Sequence, residues 1–336
     1  MSLLENLGAL LVLIGMVMYA AFGGADFGGG LWTALANGPR AHEQREGLFR
    51  AIGPIWETNH IWLIFVVVAL FTCFPKGFQV LFIAALVPLV FALVGINFRG
   101  AAFVFRNFGR YKGVELPAME TIFSISSVMT PFFLGMAVSG MGAGHILIVD
   151  GQVRGGLLSA WLSPFTIVGG LIGLAVCGYI TPFYMIVRTT GELREDFRKK
   201  ALAGAIVLGI MTSIEIPIAW LSAPVFFERV THMFPLLFVG LAVISGSTTL
   251  FLLLKKSYRP AQLFADVTIA FTITGFGAAL YPDMLLGQIT YSKAAAPEPT
   301  LFAVIITLPI IIVLLLPSLC LLYKTFGGNP NHKLPE

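Results

Sequence analysis

The sequence predicts an all-α integral membrane protein with nine transmembrane helices. Of its 336 residues, 57% are hydrophobic and only 11% are charged, whereas soluble domains carry roughly 25% charged residues. Apolar runs of about 20 residues, the length that crosses a bilayer, recur along the whole chain. No hydrophilic stretch between them is long enough for a soluble domain, so residues 1–336 are predicted to form one polytopic membrane domain. The formal net charge of +4 therefore indicates membrane orientation, and no nucleic-acid partner is expected.

The nine apolar runs are each predicted to be helical, because a segment in lipid must satisfy its backbone hydrogen bonds internally. The first run begins MSLLENLG, lacks the basic region of a secretory signal, and is predicted to be a retained helix. The predicted spans are 7–32, 54–74, 77–98, 120–141, 160–186, 201–222, 233–254, 261–281 and 301–323.

The distribution of lysine and arginine predicts the orientation of the spans. The connections after spans one, three, five and seven, together with the C-terminal tail, hold seventeen of these residues, and the opposite side holds four. Basic residues are enriched in short cytoplasmic loops. The N-terminus is therefore predicted outside and the C-terminus in the cytoplasm, with Arg99 closing span three on the cytoplasmic side.

Ionisable residues are predicted in the cytoplasmic third of the spans. Asp26 lies near the end of span one, Glu57 and His60 lie in the first turns of span two, and Asp266 lies early in span eight. Such residues are costly in a membrane and mark ion or proton pathways. With Arg99, they predict an inlet for protons or cations from the cytoplasm. The alternative is that charges near helix ends snorkel or pair with one another.

The stretch GPIWETNHIW contains the densest polar group of any span. Glu57 and His60 are three residues apart and share a helix face, and Trp56, four residues before His60, is also its neighbour. Because Glu and His both change protonation, the pattern favours a proton relay, although an interfacial tryptophan belt with polar neighbours remains open. A di-iron bundle needs two Glu-x-x-His helices, and the spans contain one such pair, so a metal site is not predicted.

The glycine-rich stretch GGADFGGG is predicted to serve helix packing. It does not match G-x-G-x-x-G, and no βαβ unit surrounds it. Ala20, Gly24 and Gly28 form a ridge of small residues that lets another helix approach closely. Asp26 would then sit in a tight helix contact.

The histidines indicate that haem is not ligated by this chain. Of five, His42, His145, His232 and His332 fall in loops, tails or at a span edge, and only His60 is expected to be buried. Two histidines facing each other inside the membrane cannot be assembled, so redox cofactors are expected mainly elsewhere. In span six, Glu215 has two open interpretations: a proton group on the exit side, or a pairing partner for another subunit.

Several motifs occur in order along the chain: GADFGGG, GPIWETNHIWLI, INFRGAAFVFR, RTTGELRE, and YPDM followed by TLFAVIITLPIII. Together they resemble subunit II of the cytochrome bd-type quinol oxidases over essentially the whole length. The resemblance implies nine helices in two four-helix bundles plus one peripheral helix. It also implies a bacterial or archaeal cytoplasmic membrane, and a haem-bearing subunit I that holds two b-type haems and one d-type haem. Such a complex oxidises quinol and reduces dioxygen to water with protons from the cytoplasm. Small single-helix accessory subunits, lipids and a structural quinone are compatible partners.

The same resemblance assigns two of the site residues. The acidic residue of the tryptophan box belongs to a proton path in that family and corresponds to Glu57, and the acidic residue of span one corresponds to Asp26. His60, Asn59, Trp56 and Arg99 are expected to support them. Weaker candidates are Asp266 and Glu215. The chain departs from the family where Gly23 replaces a first acidic residue and where Glu57 and His60 replace Asp and Gln.

A stand-alone proton-coupled secondary transporter is the alternative function. Asp26 and Glu57 would then couple protons to transport. Transporters often contain repeats with broken helices in matching positions. The glycines of span one and Pro217 of span six hint at such breaks, but no second half repeats the pattern.

Overall fold

The computed structural model describes residues 1–53, 56–114, 116–149, 152–154 and 158–326, except for the side chains at 56–59, at 152 and at several positions beyond 308. These ranges are dominated by helices. The helices are α1 (Leu3–Met18), α2 (Gly24–Ala34), α3 (Ala41–Ile52), α4 (Trp56–Cys73), α5 (Pro75–Ala84), α6 (Leu86–Tyr111), α7 (Pro117–Gly142), α8 (Pro164–Arg188), α9 (Gly191–Ser222), α10 (Pro224–Val230), α11 (Met233–Leu254), α12 (Tyr258–Leu280), α13 (Tyr291–Ala294) and α14 (Glu298–Phe326).

Seven helices within the described ranges are long and apolar enough to cross a membrane. They are Leu3–Ala34, which joins α1 and α2, together with α6, α7, α8, α9, α11 and α12. The predicted spans two and nine coincide with α4 and α14, whose described apolar parts are shorter, His60–Cys73 and Glu298–Leu308. The chain is thus a multi-pass helical membrane protein, and the count of nine spans stays a prediction.

The predicted span 77–98 is wrong in its boundaries. Helix α5 ends at Ala84, and a separate helix, α6, runs from Leu86 to Tyr111. Pro88 explains the break, because proline lacks an N–H and is tolerated in the first turn of a helix but not in its interior. Consequently Arg99 lies in the middle of α6. The prediction that Arg99 closes span three is therefore wrong as well.

Span one contains a π turn. Its N-terminus is closed by a capping box in which Ser2 N–H donates to Glu5 Oε2 at 2.8 Å and Glu5 N–H donates to Ser2 Oγ at 3.2 Å. After α1, the residues Tyr19–Gly23 form one π-helical turn before α2 begins. π turns inside α-helices are frequent at functional sites.

Helix α8 is the centre of the packing. It contacts α2, α7, α9 and α12, while α6 packs on α7, α11 packs on α12, and α1 packs on α4, α12 and α14. Around α8, buried side chains of Tyr179, Phe183, Phe197, Ala265 and Ile269 form one apolar cluster. A larger cluster around Phe74, Phe165, Phe226 and Met284 fills the opposite end.

The two ends of the molecule differ in their surface elements. One end, called here the hairpin end, carries β1 (Leu147–Val149) antiparallel to β2 (Gln152–Arg154), and β3 (Asp283–Leu285) antiparallel to β4 (Ile289–Thr290). These short hairpins are the exception to the all-α prediction. The other end, called here the α3 end, carries α3 and the turns after α6, α8 and α11.

Candidate functional site

The ring of Phe27 is the centre of a buried polar cluster toward the α3 end. The Arg99 guanidinium carbon lies 4.8 Å from the centroid of this ring. The His60 ring lies 6.0 Å from it at 65°, and the Tyr19 ring lies 6.5 Å from it at 81°. Residues from α2, α4, α6 and the π turn therefore meet at one aromatic side chain.

Arg99 is the most unusual member of this cluster because its side chain is charged and only 1% exposed. A second ring, that of Phe123 on α7, lies 5.3 Å from its guanidinium carbon. Among the described side chains, none accepts a hydrogen bond from its Nε or Nη2. An arginine remains charged even when buried. The protein thus holds a permanent positive charge between two aromatic faces.

Asp26 brings a carboxylate to this positive charge. It is 1% exposed, is the third residue after the π turn, and lies close enough to Arg99 for the two groups to interact electrostatically. Since α2 continues for eight residues beyond Asp26, the carboxylate lies about 12 Å from the end of the helix. The prediction that Asp26 is buried in a helix contact is confirmed.

The glycines after Asp26 allow three neighbours to approach α2. A Cβ on Gly28 would lie 2.0 Å from the Cys177 carbonyl oxygen of α8. A Cβ on Gly29 would lie 2.0 Å from Ile52 Cδ1 of α3, and one on Gly30 would lie 2.1 Å from Ser127 Oγ of α7. Close packing at Gly28 is confirmed, and the contacts at Gly29 and Gly30 were not predicted.

Helix–helix hydrogen bonds reinforce this contact. The Thr181 hydroxyl donates to the Ala25 carbonyl oxygen at 2.8 Å, and Trp32 Nε1 donates to the Gly178 carbonyl oxygen at 2.9 Å. Both bonds connect α2 to α8. Such bonds across helices stabilise membrane proteins by about 0.6 kcal/mol each, so together with the glycine contacts they fix the position of Asp26.

The tryptophan box lies partly outside the described side chains. The backbone of residues 56–59 is helical and forms the first turn of α4, but the side chains of Trp56, Glu57 and Asn59 are among those not described. His60, one turn later, reaches the Phe27 ring. Because Glu57 precedes His60 by three residues, it lies on the same face of the helix.

A network of ion pairs connects α3, α6 and α7, and the sequence analysis did not predict it. The Arg106 side chain is 3% exposed, and its Nη2 and Nε lie 2.7 Å from Glu46 Oε1 and 2.8 Å from Glu120 Oε1. Arg110 also pairs with Glu46. Burial by itself raises the pKa of Glu46, but hydrogen bonds from Arg110 and Arg106 outweigh burial and hold that pKa below its ordinary value.

Helix α3 covers the α3 end because it is anchored on both sides. Glu46 connects it to α6 and α7, while Arg40, just before it, binds Asp196 of α9 through two contacts of 2.8 Å. Gln44 Nε2 donates to the same carboxylate at 3.1 Å. The amphipathic pattern of AHEQREGLFRAI was the available signal for this helix.

Asp266 and Glu215 are not brought into the Phe27 cluster. Asp266 is half-buried on α12, and Glu215 is half-buried on α9 in the half nearer the hairpin end. Neither has a hydrogen bond or ion pair to another described residue. The structure therefore separates these weaker candidates from Asp26, Arg99 and His60.

The histidines at positions 42, 60, 145 and 232, which the structure describes, do not form a pair suited to haem. His42, His145 and His232 are exposed, and only His60 reaches the helix interior among the described histidines. No cluster of three or more metal-ligating side chains occurs in the described part of the chain. The described histidines are therefore not placed to hold a haem between two of them.

Comparison with known proteins gives consistent results over the full length. The family model for cytochrome bd terminal oxidase subunit II matches residues 4–326. The cytochrome bd ubiquinol oxidase subunit 2 of Bacillus subtilis is 24% identical, with 100% of this chain and 99% of the relative covered. The cytochrome bd-I ubiquinol oxidase subunit 2 of Escherichia coli K12 is 26% identical over 59% of this chain and 52% of its own length.

A solved structure shows the same fold. A chain of the bd oxidase from Geobacillus thermodenitrificans superimposes with a TM-score of 0.82 at 20% identity, covering 98% of this chain and 100% of that one. The match to the family model is a match of sequence as well as of fold, and it extends across the helices of the described structure. The chain belongs to the cytochrome bd terminal oxidase subunit II family, and it is a membrane subunit of a respiratory quinol oxidase whose complex contains haems and a partner subunit I.

Proposed function

We propose that this chain is the non-haem subunit II that supports the haem-bearing subunit I and contributes to proton uptake from the cytoplasm. The observation that carries the proton role is the buried cluster of Asp26, Arg99 and His60 around Phe27. Ionisable groups at membrane depth are costly and mark proton pathways. The complex reduces dioxygen to water, which consumes protons, so a hydrophilic route to the partner has a clear use.

In the proposed route, Glu57 receives protons in the first turn of α4 and Asp26 passes them deeper. Both are carboxylates, which can bind and release a proton. Arg99 contributes a fixed positive charge beside Asp26. His60, one turn from Glu57 and in contact with Phe27, the residue after Asp26, is proposed as an assisting group. Trp56 and Asn59 would position this turn.

The haems are assigned to the partner subunit. We propose two b-type haems and one d-type haem there, with quinol as the electron donor, and none ligated by this chain. When bound, the haems supply the electron transfer and oxygen chemistry. This chain's contribution is to hold the partner and to move protons. Small accessory subunits and lipid are further proposed partners.

We also propose the membrane arrangement: nine spans in two four-helix bundles and one peripheral helix, with the α3 end in the cytoplasm of a bacterial or archaeal cell. If Arg99, which lies in the middle of a helix, is not counted, sixteen lysines and arginines remain on that side against four on the other. Packing of α14 on α1 and α4 supports a peripheral ninth helix.

Substitution of Glu57 tests the proton role in the assembled oxidase. Glu57→Gln keeps the size of the side chain and removes its ability to carry a proton. Quinol-dependent oxygen consumption is expected to fall at least about tenfold, since positioned proton-transfer groups contribute 10²–10⁴-fold. The haem absorption spectrum of the purified complex should be unchanged. Glu43→Gln, an exposed carboxylate on α3, is the matched control.

Wild-type turnover in Glu57→Gln with an intact haem spectrum would remove Glu57 from the route. The transporter alternative makes a different prediction: a colourless chain that is fully active without a haem-bearing partner. Co-purification of a second large subunit with d-type haem absorption would exclude that alternative.

A further inference from the structure

The turn between α11 and α12 concentrates positive charge. Lys255, Lys256 and Arg259 lie within five residues, and all three are exposed. None of them forms an ion pair with a carboxylate of the described residues. Lys199, at the start of α9, is also exposed and adds a fourth cation at this end.

Several arginines at the α3 end, by contrast, are paired with carboxylates. Arg40 pairs with Asp196 and Glu192, Arg106 pairs with Glu46 and Glu120, and Arg198 pairs with Glu195. Glu195 is the carboxylate near the α11–α12 turn, and it interacts electrostatically with Lys256 and Lys199. Its oxygens, however, already accept three hydrogen-bond contacts from Arg198. The turn therefore keeps an excess of positive charge that the protein itself does not balance.

The backbone of the turn holds one of these cations in a position that usually belongs to glycine. Lys256 has a φ of 58°. The N–H of Lys256 donates to the Leu253 carbonyl oxygen at 3.1 Å, and that of Ser257 donates to the Leu252 carbonyl oxygen at 2.9 Å. This is the Schellman pattern that ends helices, in which glycine or asparagine normally occupies the left-handed residue.

An apolar surface continues from the cations toward the membrane interior. Lys255 Nζ lies 4.5 Å from the centroid of the Phe251 ring. Phe251, Leu254 and Leu263 are exposed large apolar side chains on α11 and α12. Charge at the membrane surface with exposed apolar side chains beneath it matches the two parts of a phospholipid.

We infer that the α11–α12 turn binds an anionic diacyl phospholipid. The headgroup phosphate lies against Lys255, Lys256 and Arg259, and the acyl chains lie along Phe251, Leu254 and Leu263. Basic pockets between transmembrane helices are suited to anionic headgroups. This inference concerns the surface of α11 and α12 and does not depend on the proposed proton route.

Lipid retention by the purified two-subunit oxidase tests the inference. The complex would be reconstituted in nanodiscs of phosphatidylcholine with a minor fraction of phosphatidylglycerol, released, and measured by native mass spectrometry. Each lysine or arginine near an anionic lipid surface increases the binding affinity about fivefold. The triple variant Lys255→Gln, Lys256→Gln, Arg259→Gln should therefore lose one retained phosphatidylglycerol, with apparent affinity reduced on the order of 100-fold.

Lys112→Gln is the matched control. Lys112 follows α6 at the same end of the molecule and is exposed. Its Nζ lies 5.1 Å from the ring centroid of Phe108, four residues earlier, much as Lys255 lies over Phe251. It has no comparable cluster of unpaired cations. Its retained lipid should match that of the wild type.

Lys256→Gly separates charge from folding. Glycine adopts the left-handed conformation without the cost that lysine bears, so this variant should melt no lower than the wild type while retaining less phosphatidylglycerol. The inference would be overturned if the triple variant retained as much phosphatidylglycerol as the wild type. It would also be overturned if the wild type retained phosphatidylcholine and phosphatidylglycerol equally. Loss of the retained phosphatidylglycerol on addition of inorganic phosphate alone would also overturn it, because that result would identify a soluble anion as the ligand.

Discussion

Arg99 shows how a charge can be stabilised inside an apolar protein. Its guanidinium lies between the rings of Phe27 and Phe123 and near the Asp26 carboxylate. Desolvated cation–π contacts contribute about 2 kcal/mol. The residue therefore supports the packing of α2, α6 and α7 as well as the electrostatics of the proposed proton route.

Arg99→Gln is expected to lower the free energy of unfolding of the complex by about 3–5 kcal/mol, because it removes the charge opposite a buried carboxylate. Arg99→Lys keeps the charge but loses the planar stacking group, so its melting temperature should lie between those of Arg99→Gln and the wild type. Thermal melting followed by haem absorption is the measurement. Equal melting of Arg99→Lys and Arg99→Gln would show that charge contributes nothing at this position.

At the scale of elements, α2 is positioned by glycines with different tolerances. A Cβ on Gly28 would lie 2.0 Å from a backbone oxygen of α8, whereas a Cβ on Gly24 would meet nothing closer than 3.7 Å. Both glycines face α8. They therefore form a matched pair in which the same substitution has different steric consequences.

Gly28→Ala is expected to destabilise the complex by about 1–3 kcal/mol or to prevent its assembly, since backbone atoms must move to relieve overpacking. Gly24→Ala should be tolerated and could stabilise α2 slightly, because alanine favours helix over glycine by about 1 kcal/mol. Yield and melting temperature of the two purified variants provide the comparison. Similar losses for both would contradict the steric argument.

Helix α3 is expected to loosen in acid. The pKa of Glu46 is held below its ordinary value of 4.5 in the folded protein, so its ion pairs stabilise the fold above that value. This stability is lost as the pH falls through the lowered pKa. The difference in melting temperature between the wild type and Glu46→Gln should thus be constant above about pH 5 and shrink in more acid solution. A difference that grows in acid would contradict the assignment.

Some elements could be predicted from the sequence and others could not, for physical reasons. Spans such as α7, α8, α11 and α12 follow from apolar runs that lipid requires to be helical. Helix α3 did not, because an amphipathic helix between spans carries too many charges to register as apolar. The break at Ala85 was missed because the run through Pro88 is continuous in hydrophobicity. The partners of Arg99 depend on contacts between α2, α6 and α7, which no single segment reveals.

At the scale of the whole molecule, the excess of basic residues at the α3 end predicts its position in the cytoplasm. Arg154→Cys in the β1–β2 hairpin and Lys112→Cys after α6 place exposed thiols at opposite ends. A membrane-impermeant maleimide applied to intact cells should label only Arg154→Cys, and both should react after lysis. The wild type supplies the background from its three native cysteines. Labelling of Lys112→Cys in intact cells would reverse the orientation.

The π turn at Tyr19–Gly23 has a consequence for how span one can change its length. It contains one residue more than an α-helical turn, so it accommodates that residue without changing the rotational phase between α1, which meets α4 and α14, and α2, which carries the buried carboxylate. Deleting one residue there would restore a regular helix and leave that phase nearly unchanged, whereas deleting one residue from the regular helix α1 would change the phase by about 100°. The three glycines would then no longer face α8, α3 and α7. Outside this turn, the length of span one constrains the protein more strongly than its composition.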